Sequence, residues 1–254
     1  MSIINNIFNI IYICSYKNNP RLEVLKKNYD SLCLNYKIIF GPLSNDILLS
    51  KLLKENKISK KYLNSPLNNK VKKIICALNI THGMAWTEFL NSEFKNCIIV
   101  EDDAFFINNI NNFLIKDKIP KDYEFIQLGW ENYKFNQDGA KDEKYNNYFD
   151  KLYWGRAGAH CYSINRIAAK KLLKYLYPIY KAPDGYIGDM CFINKNYSKF
   201  DFKEPNKEDK IYKAYISKKK LAYGISNLNE IPKELNIDSN IKNIFIKNAT
   251  QKLL

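Results

Sequence analysis

The residues most able to do chemistry in this chain are Glu101, Asp102 and Asp103. They interrupt an apolar run, Ile98-Ile99-Val100, which resumes at Ala104-Phe105-Phe106. Three adjacent carboxylates repel one another unless a cation or basic groups neutralise them. In an extended segment side chains alternate, so Glu101 and Asp103 are expected to face the same way. Hard oxygen donors of this kind suit Mg²⁺ or Mn²⁺, with the rest of the shell coming from a diphosphate. The competing reading is an acidic turn in solvent, which the flanking apolar residues disfavour.

Other motifs are absent. No G-x-x-x-x-G-K-[ST] loop, no G-x-G-x-x-G after the first strand and no G-x-S-x-G elbow occurs. A metal-dependent handler of a nucleotide diphosphate remains. Glycosyl transfer from a nucleotide-sugar is the obvious reaction, with a carboxylate elsewhere taking the proton of an acceptor hydroxyl. Asp184 and Asp189, flanking Gly185-Tyr186-Ile187-Gly188, are the candidates for that base, with Asp184 slightly favoured. After Pro183, Asp184 reads equally as a helix cap. Arg21 reads as a phosphate partner or as a solvated helix-terminal charge. His82 reads as a core histidine or as a donor-site contact. Trp130, Trp154 and Tyr186 could stack on a sugar or base, although aromatics are more often core. Tyr153-Trp154-Gly155-Arg156 could line the pocket.

Alternating elements must position these groups. An apolar run from Ile7 to Ile13 is the first strand, and a helix starts after Pro20 with Leu22, Leu25, Tyr29 and Leu32 on one face. Strands are expected at 36–40, 98–100, 125–128 and 159–164. Helices are expected at 46–54, 70–90, 166–175 and 184–193, with 56–69 as a loop and 131–150 as a long loop or a mobile lid. Strands alternating with helices indicate an α/β sheet, whose sites lie at strand carboxyl ends. Periodicity fades after about Phe200. We therefore expect a catalytic domain over 1–200 and a Lys/Asn-rich extension over 201–254, packed on or trailing the same domain.

Composition bounds the rest. The chain has 254 residues, enough for one domain, and its 46% hydrophobic content excludes a wholly disordered protein. Net charge is +14, but only Arg21, Arg156 and Arg166 are Arg. A Lys-rich balance among Asn and Ile fits an AT-rich coding genome, an anionic ligand or a polyanionic glycan better than specific nucleic-acid readout. No C-x-x-C pair accompanies the six Cys and two His, which argues against structural zinc and for free thiols in a reducing compartment. With no signal-like N-terminus and no run of about 20 apolar residues, a cytoplasmic location is expected, with peripheral membrane contact left open.

Taken together, these segments resemble glycosyltransferase family 25, the lipooligosaccharide and procollagen galactosyltransferases. The resemblance rests on IFNIIYICSYKNNPR ending at Arg21, on Thr81-His82 with Trp86, on IIVEDDAFF, on the stretch from Ala159 to Leu173, and on Pro183-Asp184-Gly185-Tyr186-Ile187. The family's Gly-Glu-x-Gly-Cys before Ser-His is absent; Lys72, Lys73 and Leu78 stand nearby instead.

The resemblance implies a single-domain α/β fold of the GT-A type, a Rossmann-like mixed sheet flanked by helices. It implies an inverting, metal-dependent enzyme using UDP-galactose or UDP-glucose and transferring the hexose to a glycan or hydroxylated protein. Asp103 and Glu101 would then hold Mn²⁺ or Mg²⁺, with Arg21, His82, Glu101 and Asp102 contacting the donor and Asp184 or Asp189 acting as base. The alternatives are a non-catalytic nucleotide-sugar or glycan binding module with a degenerate transferase fold, and a metal-dependent nuclease whose DNA affinity would fall steeply with salt.

Overall fold

The computed structural model describes residues 3–130, 143–152, 158–191 and 207–224. Within these residues one large sheet has the strand order β2-β1-β3-β8-β5-β9-β7-β6. Its members are β1 (Ile11–Ser15), β2 (Tyr36–Phe40), β3 (Asn96–Glu101), β5 (Phe125–Gly129), β6 (Glu143–Lys144), β7 (Phe149–Lys151), β8 (Cys161–Asn165) and β9 (Ala214–Ser217). β1 runs parallel to β2 and β3, β5 runs parallel to β9, and β8 is antiparallel to both β3 and β5. A second, two-stranded sheet pairs β4 (Ala104–Phe106) with β10 (Ala222–Gly224).

The central strands are apolar on both faces because both faces are covered. Tyr12, Ile99, Phe125, Tyr162 and Ile164 point into one core layer. Ile11, Ile13, Ile98, Val100, Ile126 and Cys161 point into the other. The first layer is closed by α5 (Asn69–Asn91), α6 (Arg166–Tyr175) and α7 (Pro183–Cys191). The second is closed by α1 (Ile3–Phe8), α2 (Leu22–Ser31) and the small sheet. Two short helices, α3 (Leu49–Lys54) and α4 (Lys60–Leu63), lie between β2 and α5. The fold is a single α/β domain: a Rossmann-like mixed sheet flanked by helices.

Local signals explain the elements that matter most for the site. Asn68 caps α5 by accepting from Val71 N at 2.8 Å, and Asn165 caps α6 by accepting from Ala168 N at 3.0 Å. The far end of α5 is held by Arg166. Its guanidinium donates to the carbonyls of Leu90 and Ser92 at 2.7 Å and those of Phe89 and Phe94 at 3.3 Å. A cation there also complements the negative end of the helix dipole.

Four differences from the sequence reading have physical causes. The run from Ile7 to Ile13 is not one strand: α1 buries Ile4 and Phe8, four residues apart, and Asn9 at φ 51° breaks the chain before β1. The expected loop 56–69 contains α4, capped by the Ser59 hydroxyl. The expected loop 131–150 contributes β6 and the short β7; residues 131–142 lie outside the described residues. The stretch after residue 200 supplies β9, which sits between β5 and β7, and β10. These strands are short and pair with partners far away in sequence, so no local period announces them.

All six cysteines are free, and only Cys33 is exposed. Burial pushes the thiols of Cys14, Cys97 and Cys161 well up and that of Cys76 up to about 12, so they stay protonated and inert at neutral pH. A colorimetric thiol reagent is therefore expected to label one site in the native protein and six after unfolding. Cys33→Ser should remove the native signal. Two or more rapidly labelled native thiols would show that the core opens.

Candidate active site at the carboxyl end of the sheet

β1 and β3 are neighbours, with Cys14 paired to Glu101, so both strands end at the same sheet edge. β8 starts there as well, because it runs antiparallel to β3. The Glu101 amide donates to the His160 carbonyl at 3.0 Å. Gly129 borders this junction; a Cβ there would collide with the His160 ring and the Ala222 carbonyl, so glycine is what lets the ring approach.

The acidic motif is not extended throughout. β3 stops at Glu101, and Asp102-Asp103 form a turn into β4. The strand alternation expected for Glu101 and Asp103 therefore does not extend through the motif: Asp102 and Asp103 both meet Arg21, whereas Glu101 meets His82 of α5. Asp102 is only 8% exposed. It accepts from Ser15 Oγ at 3.0 Å and Asn19 Nδ2 at 2.6 Å, and pairs with Arg21 at 2.6 Å. The second guanidinium nitrogen of Arg21 lies 3.7 Å from Asp103. Arg21 is itself buried, so its fork is committed to the acidic turn rather than displayed to solvent. The loop after β1 and the turn after β3 are thereby locked together.

Glu101 is held from α5. Its Oε1 lies 3.3 Å from His82 Nε2. His82 is fully buried, and its Nδ1 lies 2.8 Å from the Tyr162 hydroxyl, which accepts from Trp86 Nε1 at 2.9 Å. Burial raises the Tyr162 phenol well above its usual value, so it stays neutral. Buried Lys72, in the region where the family's Gly-Cys motif is missing, donates to the carbonyls of Leu63 and Ser65 at 2.7 and 2.9 Å. It clamps the chain entering α5.

The two candidate bases differ in their surroundings. Asp184, in the first turn of α7, accepts from Gly158 N at 3.3 Å and from its neighbour Gly185 N at 2.8 Å. It lines a small cavity with Phe125, Leu152, Tyr162 and Ile187. Gly158 lies two residues before His160, so one short segment ties Asp184 to Glu101. Asp189 is instead held by Lys181 at 2.5 Å and by the Tyr180 hydroxyl at 2.7 Å. Tyr186, a candidate stacking ring, is buried and donates to the Leu172 carbonyl. Of the two readings weighed for Tyr186, the ring is core. Trp130 is partly buried against the same core layer, with the Lys220 ammonium 5.8 Å from its ring. Tyr153, Trp154 and Arg156 lie outside the described residues.

Among the described residues, no group of three His, Cys, Asp or Glu side chains converges to hold a metal. Glu101 and Asp103 are hard oxygen donors with side chains 23% and 16% exposed. Oxygen donors of this kind are the type that Mg²⁺ and Mn²⁺ prefer.

Sequence reasoning missed Ser15, Asn19 and Tyr162. The spacing of His82 and Trp86, one helical turn apart, was the available signal for a shared partner of α5.

The fold and this edge define an α/β protein with a carboxylate-rich site where parallel strands end. The chain belongs to glycosyltransferase family 25 (LPS biosynthesis protein), which it matches over residues 8–187. Membership implies a sugar donor and an acceptor. Among solved structures, the chain is similar to A197 from STIV at 12% identity and TM-score 0.35, covering 82% of this chain and 80% of that one. It is also similar to a glycosyltransferase involved in the glycosylation of the major capsid of PBCV-1, at 7% identity and TM-score 0.30, covering 66% of this chain and 62% of that one. No curated protein matches. Among the described residues, no helix is long and apolar enough to cross a membrane.

Proposed function

We propose that this protein is a metal-dependent, inverting hexosyltransferase of the GT-A type. It moves galactose or glucose from a UDP-sugar to a hydroxyl of a glycan or hydroxylated protein. The observation that carries the reading is that residues 158–160 bond both the Glu101 backbone amide and the Asp184 carboxylate, which brings Asp184 to the segment beside the end of β3. Asp103 and Glu101 would hold Mn²⁺ or Mg²⁺, which when bound supplies Lewis-acid stabilisation of charge on the departing diphosphate. Arg21 and Asp102 keep the acidic turn in place. Asp184 takes the proton from the acceptor hydroxyl as its oxygen attacks the anomeric carbon. The apolar wall beside Asp184 excludes water that would compete as acceptor. Six free cysteines support a reducing, cytoplasmic setting.

The test is UDP release from UDP-galactose, UDP-glucose and UDP-N-acetylglucosamine, with Mn²⁺ or with EDTA. Slow Mn²⁺-dependent release from one hexose donor is expected, lost in EDTA and in Asp103→Ala. No release, together with no thermal shift on adding UDP and Mn²⁺, would overturn the reading in favour of a binding module with a degenerate site.

A further inference from the structure

The buried triad behind Glu101 has a proton arrangement that chemistry restricts. The Trp86 indole N–H can only donate, so it occupies a lone pair of the Tyr162 oxygen. The phenol's own proton then points to His82 Nδ1, 2.8 Å away. An imidazole that accepts at Nδ1 carries its proton at Nε2. That nitrogen is the one 3.3 Å from Glu101 Oε1. With Trp86 and His82 at 0% exposure and Tyr162 at 1%, water does not compete for these bonds. The reverse tautomer would make the Tyr162 hydroxyl accept from both Trp86 and His82, leaving its own buried proton without an acceptor. It would also leave Nε2 facing Glu101 lone pair to lone pair.

We propose that Tyr162 and Trp86 are positioning residues that hold His82 as its Nε2–H tautomer, so that His82 fixes one oxygen of Glu101 at the ligand-facing edge. The role in turnover rests on the transferase reading above; the tautomer itself does not. The geometry also explains the spacing of His82 and Trp86. Both side chains must reach one hydroxyl on β8 from one face of α5, which residues four apart on a helix can do.

The experiment is histidine ¹⁵N NMR on the metal-free protein, whose two histidines are separated by a His160→Gln control. His82 is expected to show a protonated Nε2 and an unprotonated Nδ1. Tyr162→Phe removes the donor to Nδ1 and should give a mixture of tautomers. Its UDP release in Mn²⁺ should fall by about 10–100-fold, with the Mn²⁺ concentration for half-maximal rate rising, as for other groups that orient a metal-binding residue. If Tyr162→Phe does not fold, Trp86→Phe gives the same readout, with partial loss of the single tautomer. A protonated Nδ1 in the wild type would overturn the proposal. So would an unchanged His82 spectrum and rate in Tyr162→Phe. The expected tautomer in a wild-type protein that releases no UDP from any donor would leave the assignment standing and sink the transferase reading alone.

Discussion

Replacing Asp102 by Ala lowers unfolding free energy by about 3–5 kcal/mol, the usual cost of breaking a buried pair from one side. For a chain of this size that is a drop in Tm of roughly 6–20 °C. The cause is Arg21. Its side chain is 10% exposed and its partner's 12%, so the variant leaves a guanidinium inside the protein with its nearest anion gone. Ser15 and Asn19 lose their shared acceptor as well. Asp103 lies 3.7 Å from Arg21, against 2.6 Å for Asp102, so Asp103→Ala should cost about 1 kcal/mol or less. Denaturant titration of both variants checks the contrast. An Arg21→Met, Asp102→Leu double variant should recover part of the loss, because contacting partners are not additive. Equal small shifts for both aspartates would show that the turn is wet and the lock ineffective.

The second large effect is on rate. Asp184→Asn is expected to lower kcat by about 10²–10⁴-fold, the range for removing a general base. Stability should fall by only about 1 kcal/mol, because Gly158 N and Gly185 N donate to different oxygens of Asp184 and the amide keeps one of the two acceptors. Asp189→Asn should do the reverse. It breaks the ion pair with Lys181 and weakens the bond from Tyr180, so it lowers Tm more than it lowers kcat. Burial and the Asp189 carboxylate both push the Tyr180 phenol up, so that hydroxyl keeps its proton and donates. Steady-state kinetics beside thermal unfolding separate the two carboxylates. Loss of turnover in Asp189→Asn with an active Asp184→Asn would exchange their roles.

Much of this architecture was legible in order. The 36–40 strand and the 166–175 helix coincide with β2 and α6, and the long helix over 70–90 is α5 within one residue at each end. Such elements carry their period within themselves. Strands buried on both faces show as unbroken apolar runs, and helices as apolar residues three and four apart. β9 and β10 were not legible, because each is short and exists only through distant partners. The acidic motif was legible as chemistry, and the resemblance to family 25 rested on motif order.

The sequence by itself determined the residue types, the α/β alternation and the placing of the carboxylates at a strand end. The tertiary structure alone decided which carboxylate does what. Asp102 became a buried anchor because Ser15, Asn19 and Arg21 converge on it from a loop more than 80 residues away in the chain. Glu101 was turned towards His82 because the strand ends there and the next two residues bend. Asp184 was separated from Asp189 by which neighbours α7 brings to each. A linear pattern records what a side chain can do; its partners, burial and direction depend on contacts between distant segments, and those exist only once the chain has folded.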